Sequence, residues 1–172
     1  MGSTLTVDNI QGATAAAKVD IPGHVVQFIH NEDYTQTAIT QNQTTGFVNV
    51  TGFSKAITPI STSSKIYLRV VFHAGNITAG LGMDARIQRN GSTLKHITNF
   101  NHRGGVTLSG GNQETHVIEY IDSPSSTSAL TYNVQIAHRT TNSGTFTIND
   151  PSGGTSGASP GGTILTLMEI GG

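Results

Sequence analysis

An all-β fold, an antiparallel sandwich or jelly roll, is what this sequence predicts, and three observations carry the prediction. Apolar residues recur with period two, and no helical stripe is visible. Asn90-Gly91, set between two alternating segments, is the strongest hairpin signal in the chain, because a type I′ turn needs positive φ at both central positions. Short β-branched runs are broken at close intervals by Gly, Ser and Pro clusters, the spacing of a sandwich or jelly roll.

The elements follow in chain order. TLTVDNI, with Leu5, Val7 and Ile10, lies in an N-terminal arm of residues 1–22 that ends at Pro22-Gly23; the single domain spans 23–172. HVVQFIH opens the domain, with Val25 and Ile29 on one face and Val26 and Phe28 on the other. GFVNVTGF follows, and Pro59 with the serines of 61–64 turns the chain into KIYLRVVFH. There Ile66, Leu68, Val70 and Phe72 share one face, and Tyr67, Arg69, Val71 and His73 the other. MDARIQ and TLKHITNF are the arms of the hairpin, and ETHVIEYID precedes the turn Ser123-Pro124-Ser125. In ALTYNVQIAHR, Leu130, Tyr132, Val134 and Ile136 point inward. GTFTIND and TILTLMEI close the domain, and in the latter Ile164, Met168 and Ile170 oppose Leu165 and Leu167. Gly-rich loops are expected at 75–82, 103–112 and 151–162.

Composition narrows the function classes. A chain of 172 residues buries roughly 70% of its unfolded surface and needs no covalent staple. It contains no cysteine, which removes disulfides and thiolate metal sites. Only 11% of residues are charged, nine basic against ten acidic, so no basic surface gathers nucleic acid or an anionic membrane. No run approaches the ~18 apolar residues of a membrane span, and MGSTLTVDNI lacks the basic start and apolar stretch of a signal peptide. The sequons at Asn42, Asn49, Asn76 and Asn90 are what a chain rich in Ser and Thr produces by chance, and are expected to be unused.

The first and last strands of the domain are apolar on both faces, unlike a sandwich strand with one face in water. They are therefore expected to lie together in an inner sheet, one face on the core and the other on neighbouring subunits, with Val26, Phe28, Leu165 and Leu167 at the interface.

Catalytic constellations are missing from the sequence. There is no P-loop lysine or HExxH, and the glycines at 80–82 lack a βαβ unit around them. Glu32 and Asp33, the one adjacent acidic pair, are expected to solvate a loop. The seven histidines include no HxH or HxxxH, and His73 and His138 are expected at strand ends. No cofactor and no metal are expected, with one exception: on a three-fold axis a single histidine becomes three, and His24 or His30 could then ligate a metal. Tyr34, Phe100, His102 and Arg103 fall in expected loops and are the candidate receptor-facing residues, although for Tyr34 and Phe100 the favoured reading is a loop anchor packed on the sandwich edge.

Taken in order, TGFSKAITPISTSSKIYLRV, ARIQRNGSTL, EYIDSPSSTSALTYNVQI and TILTLMEIGG resemble a module recurrent in structural and tail-fibre proteins of tailed bacteriophages, marine and cyanobacterial ones above all. The opening STLTVDNIQG is similar to the start of such proteins, and the likeness covers about residues 24–172. It implies a jelly roll similar to the complement and tumour-necrosis-factor class, a homotrimer joined through its inner sheet. The function implied is a non-enzymatic virion structural protein, made in the host cytoplasm and placed on the particle's exterior. The expected role is the knob of a tail fibre or tail tip, facing a host surface glycan or protein, with the arm at Leu5, Val7 and Ile10 binding other virion proteins. Fibre proteins usually carry a long shaft where this chain has a short arm, which raises the alternative of a capsid decoration or cement protein stabilising the head. A more remote alternative, a surface-glycan hydrolase, would need Glu114, Glu119 or Asp122 gathered in a subunit groove.

Overall fold

Ten strands form over the residues that the computed structural model describes, 23–42, 44–75, 82–102, 113–139, 145–149 and 162–172. They are β1 (Val25–Asp33), β2 (Thr37–Ile39), β3 (Val48–Ile57), β4 (Lys65–Gly75), β5 (Gly82–Arg89), β6 (Ser92–His102), β7 (Gln113–Asp122), β8 (Leu130–His138), β9 (Phe146–Ile148) and β10 (Thr163–Ile170). Alternation decides what each buries. In β4, Ile66, Leu68, Val70 and Phe72 are wholly buried, while Tyr67, Arg69, Val71 and His73 are partly exposed. In β8 the expected inward set Leu130, Tyr132, Val134 and Ile136 is buried as well. Each such side chain contributes about 1.5–3 kcal/mol by leaving water.

The strands form two sheets. The first runs β1-β10-β4, with β7 along the other edge of β4 and the short β9 and β2 continuing beside its end. The second runs β3-β8-β5-β6. Every pairing between named strands is antiparallel, and the eight longer strands in chain order give sheets 1-8-3-6 and 2-7-4-5, the double Greek key of a jelly roll. The core lies between them, where Phe53 of β3 meets Phe72 of β4 with ring centroids 5.2 Å apart.

One polar network crosses this core at an end. Asp122 of β7, in the first sheet, accepts from the Tyr132 hydroxyl at 2.6 Å and from Arg89 Nη1 at 2.6 Å, both in the second sheet. Burial and the carboxylate raise the Tyr132 pKa, so the phenol keeps its proton and remains a donor.

The Asn90-Gly91 turn is as expected. Its φ values are 49° and 80°, Arg89 pairs with Ser92 across it, and Asn90 exchanges hydrogen bonds with Thr131 at 2.8 Å.

Strand direction sorts the connections onto two poles. Gly23 donates to the Gly171 carbonyl at 2.7 Å and Gly171 to that of His24 at 2.9 Å, so both ends of the described domain share a pole with the turns at 58–64, 90–91 and 123–129. At the other pole lie the ends of β1, β4, β6 and β8 and the starts of β3, β5 and β7. The strand ends joined by the expected Gly-rich loops at 75–82 and 103–112 are among these, and Thr163, where β10 begins after the third, pairs with Asp33 at the same pole; the loops themselves fall almost wholly outside the described residues.

Four expectations need correction. Glu32 and Asp33 are in β1, paired with Ile164 and Thr163, not in a loop. Phe100 and His102 are in β6, because pairing with β5 resumes after a bulge and runs on to Gly82↔His102. The faces of β1 were phased wrongly: Val25 pairs with Ile170 and Gln27 with Glu169, leaving an extra residue between them. That bulge shifts the alternation, so Val25 joins Phe28 on the exposed face and Ile29 packs on the core. Lastly, Leu165 and Leu167 are 0% exposed and belong to the core, which removes them from any face offered to a neighbour.

Candidate interaction surface

The outer face of the first sheet is built row by row from its registers. Phe28, Met168, Tyr67 and Ile121 pair in turn across β1, β10, β4 and β7. Two residues along each strand, the next row is His30, Thr166, Arg69 and Glu119, and the one after it Glu32, Ile164, Val71 and Val117. Two largely apolar rows thus flank a polar one. Phe28 at 58%, Ile121 at 56% and Val117 at 50% exposure are among the most exposed large hydrophobic residues described, and they converge on this one face.

Its polar groups are mutually engaged. Glu119 accepts from the Tyr67 hydroxyl and lies 3.3 Å from Arg69 Nε, and this bond raises the Tyr67 pKa. His30 Nε2 is 3.2 Å from Glu32 Oε1, and Tyr34 donates to Glu32 Oε2 at 3.2 Å. Those two hydrogen bonds hold the Glu32 carboxyl below its usual range. The His30 ring stacks on Phe28, centroids 6.1 Å apart. Beside Ile121 the surface dips into a shallow recess lined by Tyr67, Glu119, Tyr120 and Ile121.

The outer face of the second sheet is different in kind. Asn49, Gln135, Arg86 and His96 form one cross-strand row, and Ser54, Asn133, Gln88 and Thr93 another. Gln135 donates to Asn49 Oδ1 at 2.6 Å, Asn133 to the same atom at 2.8 Å, and Arg86 to Gln135. The Arg86 guanidinium also lies 4.5 Å from the Phe47 ring centroid. These polar side chains bond to one another, and Gln88 and Gln135 are buried among them.

The remaining candidate residues fall as follows. Phe28 is on the outer face of the first sheet, and Val26 sits half-buried in the bulge. Tyr34, Phe100 and His102 come to the pole opposite Gly23 and Gly171; Arg103, like Leu5, Val7 and Ile10, lies outside the described residues. Tyr34 anchors the chain there: its ring lies where a Cβ on Gly162 would approach to 2.6 Å. Among the described residues no group of three His, Asp or Glu is placed to hold a metal, and His30 is turned toward Glu32. The carboxylates a hydrolase would need do not converge on one chain. Glu119 faces outward, while Glu114 and Asp122 sit at opposite ends of β7, roughly 25 Å apart at strand rise.

Sequence reasoning misses Tyr67, Ile121 and Val117, and on TILTLMEI it takes the Leu165 and Leu167 face for the interface in place of that of Met168. The signal for the first three is the alternation of β4 and β7, whose second faces carry apolar residues where a water-facing strand would carry polar ones.

No family model and no curated protein matches the chain. Among solved structures it is similar to the infectious bursal disease virus VP2 subviral particle, 16% identical over 85% of this chain and 37% of that one, with a TM-score of 0.43. It is also similar to the T13 viral particle of that virus, 12% identical over 99% and 41% of the two chains, with a TM-score of 0.45. The third is the particle of T=1 symmetry derived from it, 15% identical over 84% and 36%, with a TM-score of 0.44. The chain spans about two fifths of each of these proteins.

Proposed function

We propose that this chain is a structural protein on the exterior of a tailed-bacteriophage particle, and that it assembles as a trimer through the outer face of the β1–β10–β4–β7 sheet. The observation that carries the assembly is the contrast between the two outer faces, one self-satisfied and polar, the other exposing Phe28, Ile121 and Val117 around a thin polar row. Burying such a patch gains about 25 cal/mol per Å² of apolar area, and large exposed patches mark association surfaces. The number three and the phage setting rest on the order of motifs from TGFSKAITP to TLMEIGG. In the trimer the pole bearing Tyr34, Phe100 and His102 lies opposite the one bearing Gly23 and Gly171. This suits a tail-fibre or tail-tip knob that meets a host glycan or protein while residues before Gly23 bind the particle.

Light scattering on the purified chain tests the assembly, with three times the 18.0 kDa chain mass expected and a monomer at micromolar concentration refuting it. Cryo-EM of particles tests the location. Tens of copies at the tail are expected for a knob; hundreds over the head would make the protein a capsid decoration instead.

A further inference from the structure

Resting on that self-association, we infer that the contact is head-to-tail: Phe28 of one copy seats in the recess at Tyr67, Glu119, Tyr120 and Ile121 of the next. Phe28 is on an edge strand of the sheet, β1, and the recess is on β7 at the opposite edge. Both belong to the same cross-strand row, so they stand at one level along the strands. Rotation about an axis parallel to the strands preserves level. Such a rotation therefore brings the Phe28 edge of each copy to the recess edge of its neighbour, and the contact repeats until a ring closes. A two-fold contact about such an axis would pair Phe28 with the recess reciprocally and stop at a dimer, whereas the head-to-tail contact leaves one edge of each copy free to take the next.

The charges agree with the same docking. His30 stacks on Phe28 and enters with it, and the matching position in the next row of the neighbour is Glu119. The imidazole N–H can donate to a carboxylate oxygen left over after Tyr67 and Arg69 have taken theirs. Glu32 lies one row farther, ~7 Å along the strand, within reach of the Arg69 guanidinium. Each edge thus brings one basic and one acidic group to meet the opposite pair. The recess is complete only when a second copy supplies its aromatic ring.

The absence of cysteine makes a clean test. Phe28→Cys and Ile121→Cys are introduced singly and together, and the chain is oxidised mildly. Within one chain the two positions are three strand spacings apart, roughly 14 Å, beyond the ~7 Å Cα separation a disulfide spans. Only a bond between copies can form. The expected result is a ladder of covalent oligomers from the double variant, ending at the closed ring, with each single variant monomeric on a denaturing non-reducing gel. Crosslinking by Phe28→Cys alone, or a double-variant ladder that stops at the dimer, would mean a two-fold contact and overturn the inference. So would an oligomer by light scattering whose double variant does not crosslink. If the parent chain is a monomer, the self-association reading fails, and this inference falls with it.

Discussion

The Tyr132 hydroxyl reaches across the end of the core to the Asp122 carboxylate, 2.6 Å away, and so ties β8 of one sheet to β7 of the other. Arg89 completes the tie from β5. Both partners of the central bond are buried, so its loss is not made good by water. Tyr132→Phe is expected to cost about 1–3 kcal/mol, the range for leaving a buried polar group short of a partner. Asp122→Ala is expected to cost more, about 3–5 kcal/mol, because Arg89 loses its counter-charge as well. Urea unfolding followed by far-UV circular dichroism measures both, and equal midpoints for parent and Tyr132→Phe would refute the role of the tie.

Core and face separate on β1 and β10. Leu167→Ala removes a wholly buried side chain and is expected to cost about 2–5 kcal/mol in stability. Phe28→Ala, on the exposed face, is expected to change the stability of the isolated chain by less than about 0.5 kcal/mol while raising the concentration at which the oligomer forms. Unfolding midpoints in dilute solution and light scattering at high concentration read the two effects independently.

Acid stability depends on His138. It is buried at the end of β8, where its Nε2–H donates to the Ile39 carbonyl. Burial lowers its pKa below the ordinary histidine value, only partly offset by that bond. The unfolded chain protonates this histidine near pH 6.5 and the folded chain at a lower pH. Below pH ~6.5 the unfolded state thus binds the extra proton, and stability falls as pH falls, by at most about 1.4 kcal/mol per pH unit from this group. The loss stops once the folded form protonates too. Unfolding free energies between pH 7 and pH 5 should show a shallower slope for His138→Gln than for the parent.

Two glycines with similar backbone angles should respond differently to alanine. Gly91 has φ +80° and open space where a Cβ would go, whereas Gly52 has φ +86° and would place its Cβ 2.5 Å from that of Asp33. Gly91→Ala is expected to cost about 1–2 kcal/mol for the left-handed conformation alone. Gly52→Ala must in addition force β1 away from β3, so its unfolding midpoint should fall well below that of Gly91→Ala.

The parts legible from sequence were those set by local rules. β4 and β8 each have one plainly apolar face, and Asn90-Gly91 dictates its own turn. β1 and β10 were recognised as apolar on both sides, and they do pair, but which side faces the core depends on the bulge beside Val26. A bulge breaks the period of two, and a strand apolar on both faces does not show where the break falls. Three-residue strands such as β2 carry too few alternations to stand out. Bonds such as Tyr132–Asp122 join residues whose neighbourhood exists only once both sheets are assembled. Glu169 offered a hint that went unused: an acid inside the apolar run TILTLMEI, it is buried and accepts from the Ile60 backbone N–H and the Gln27 side chain, each at 2.8 Å.

The shared pole of Gly23 and Gly171 has a mechanical consequence. The Gly23–Gly171 exchange is the last rung of the β1–β10 ladder. Separating the two ends sideways would load that rung first and peel the strands apart one bond at a time. A pull on the segment before Gly23, resisted at the far pole, instead slides β1 along β10 and loads the whole ladder at once. A module tethered at one pole and gripped at the other is therefore strained in the direction in which its outermost strand is hardest to remove.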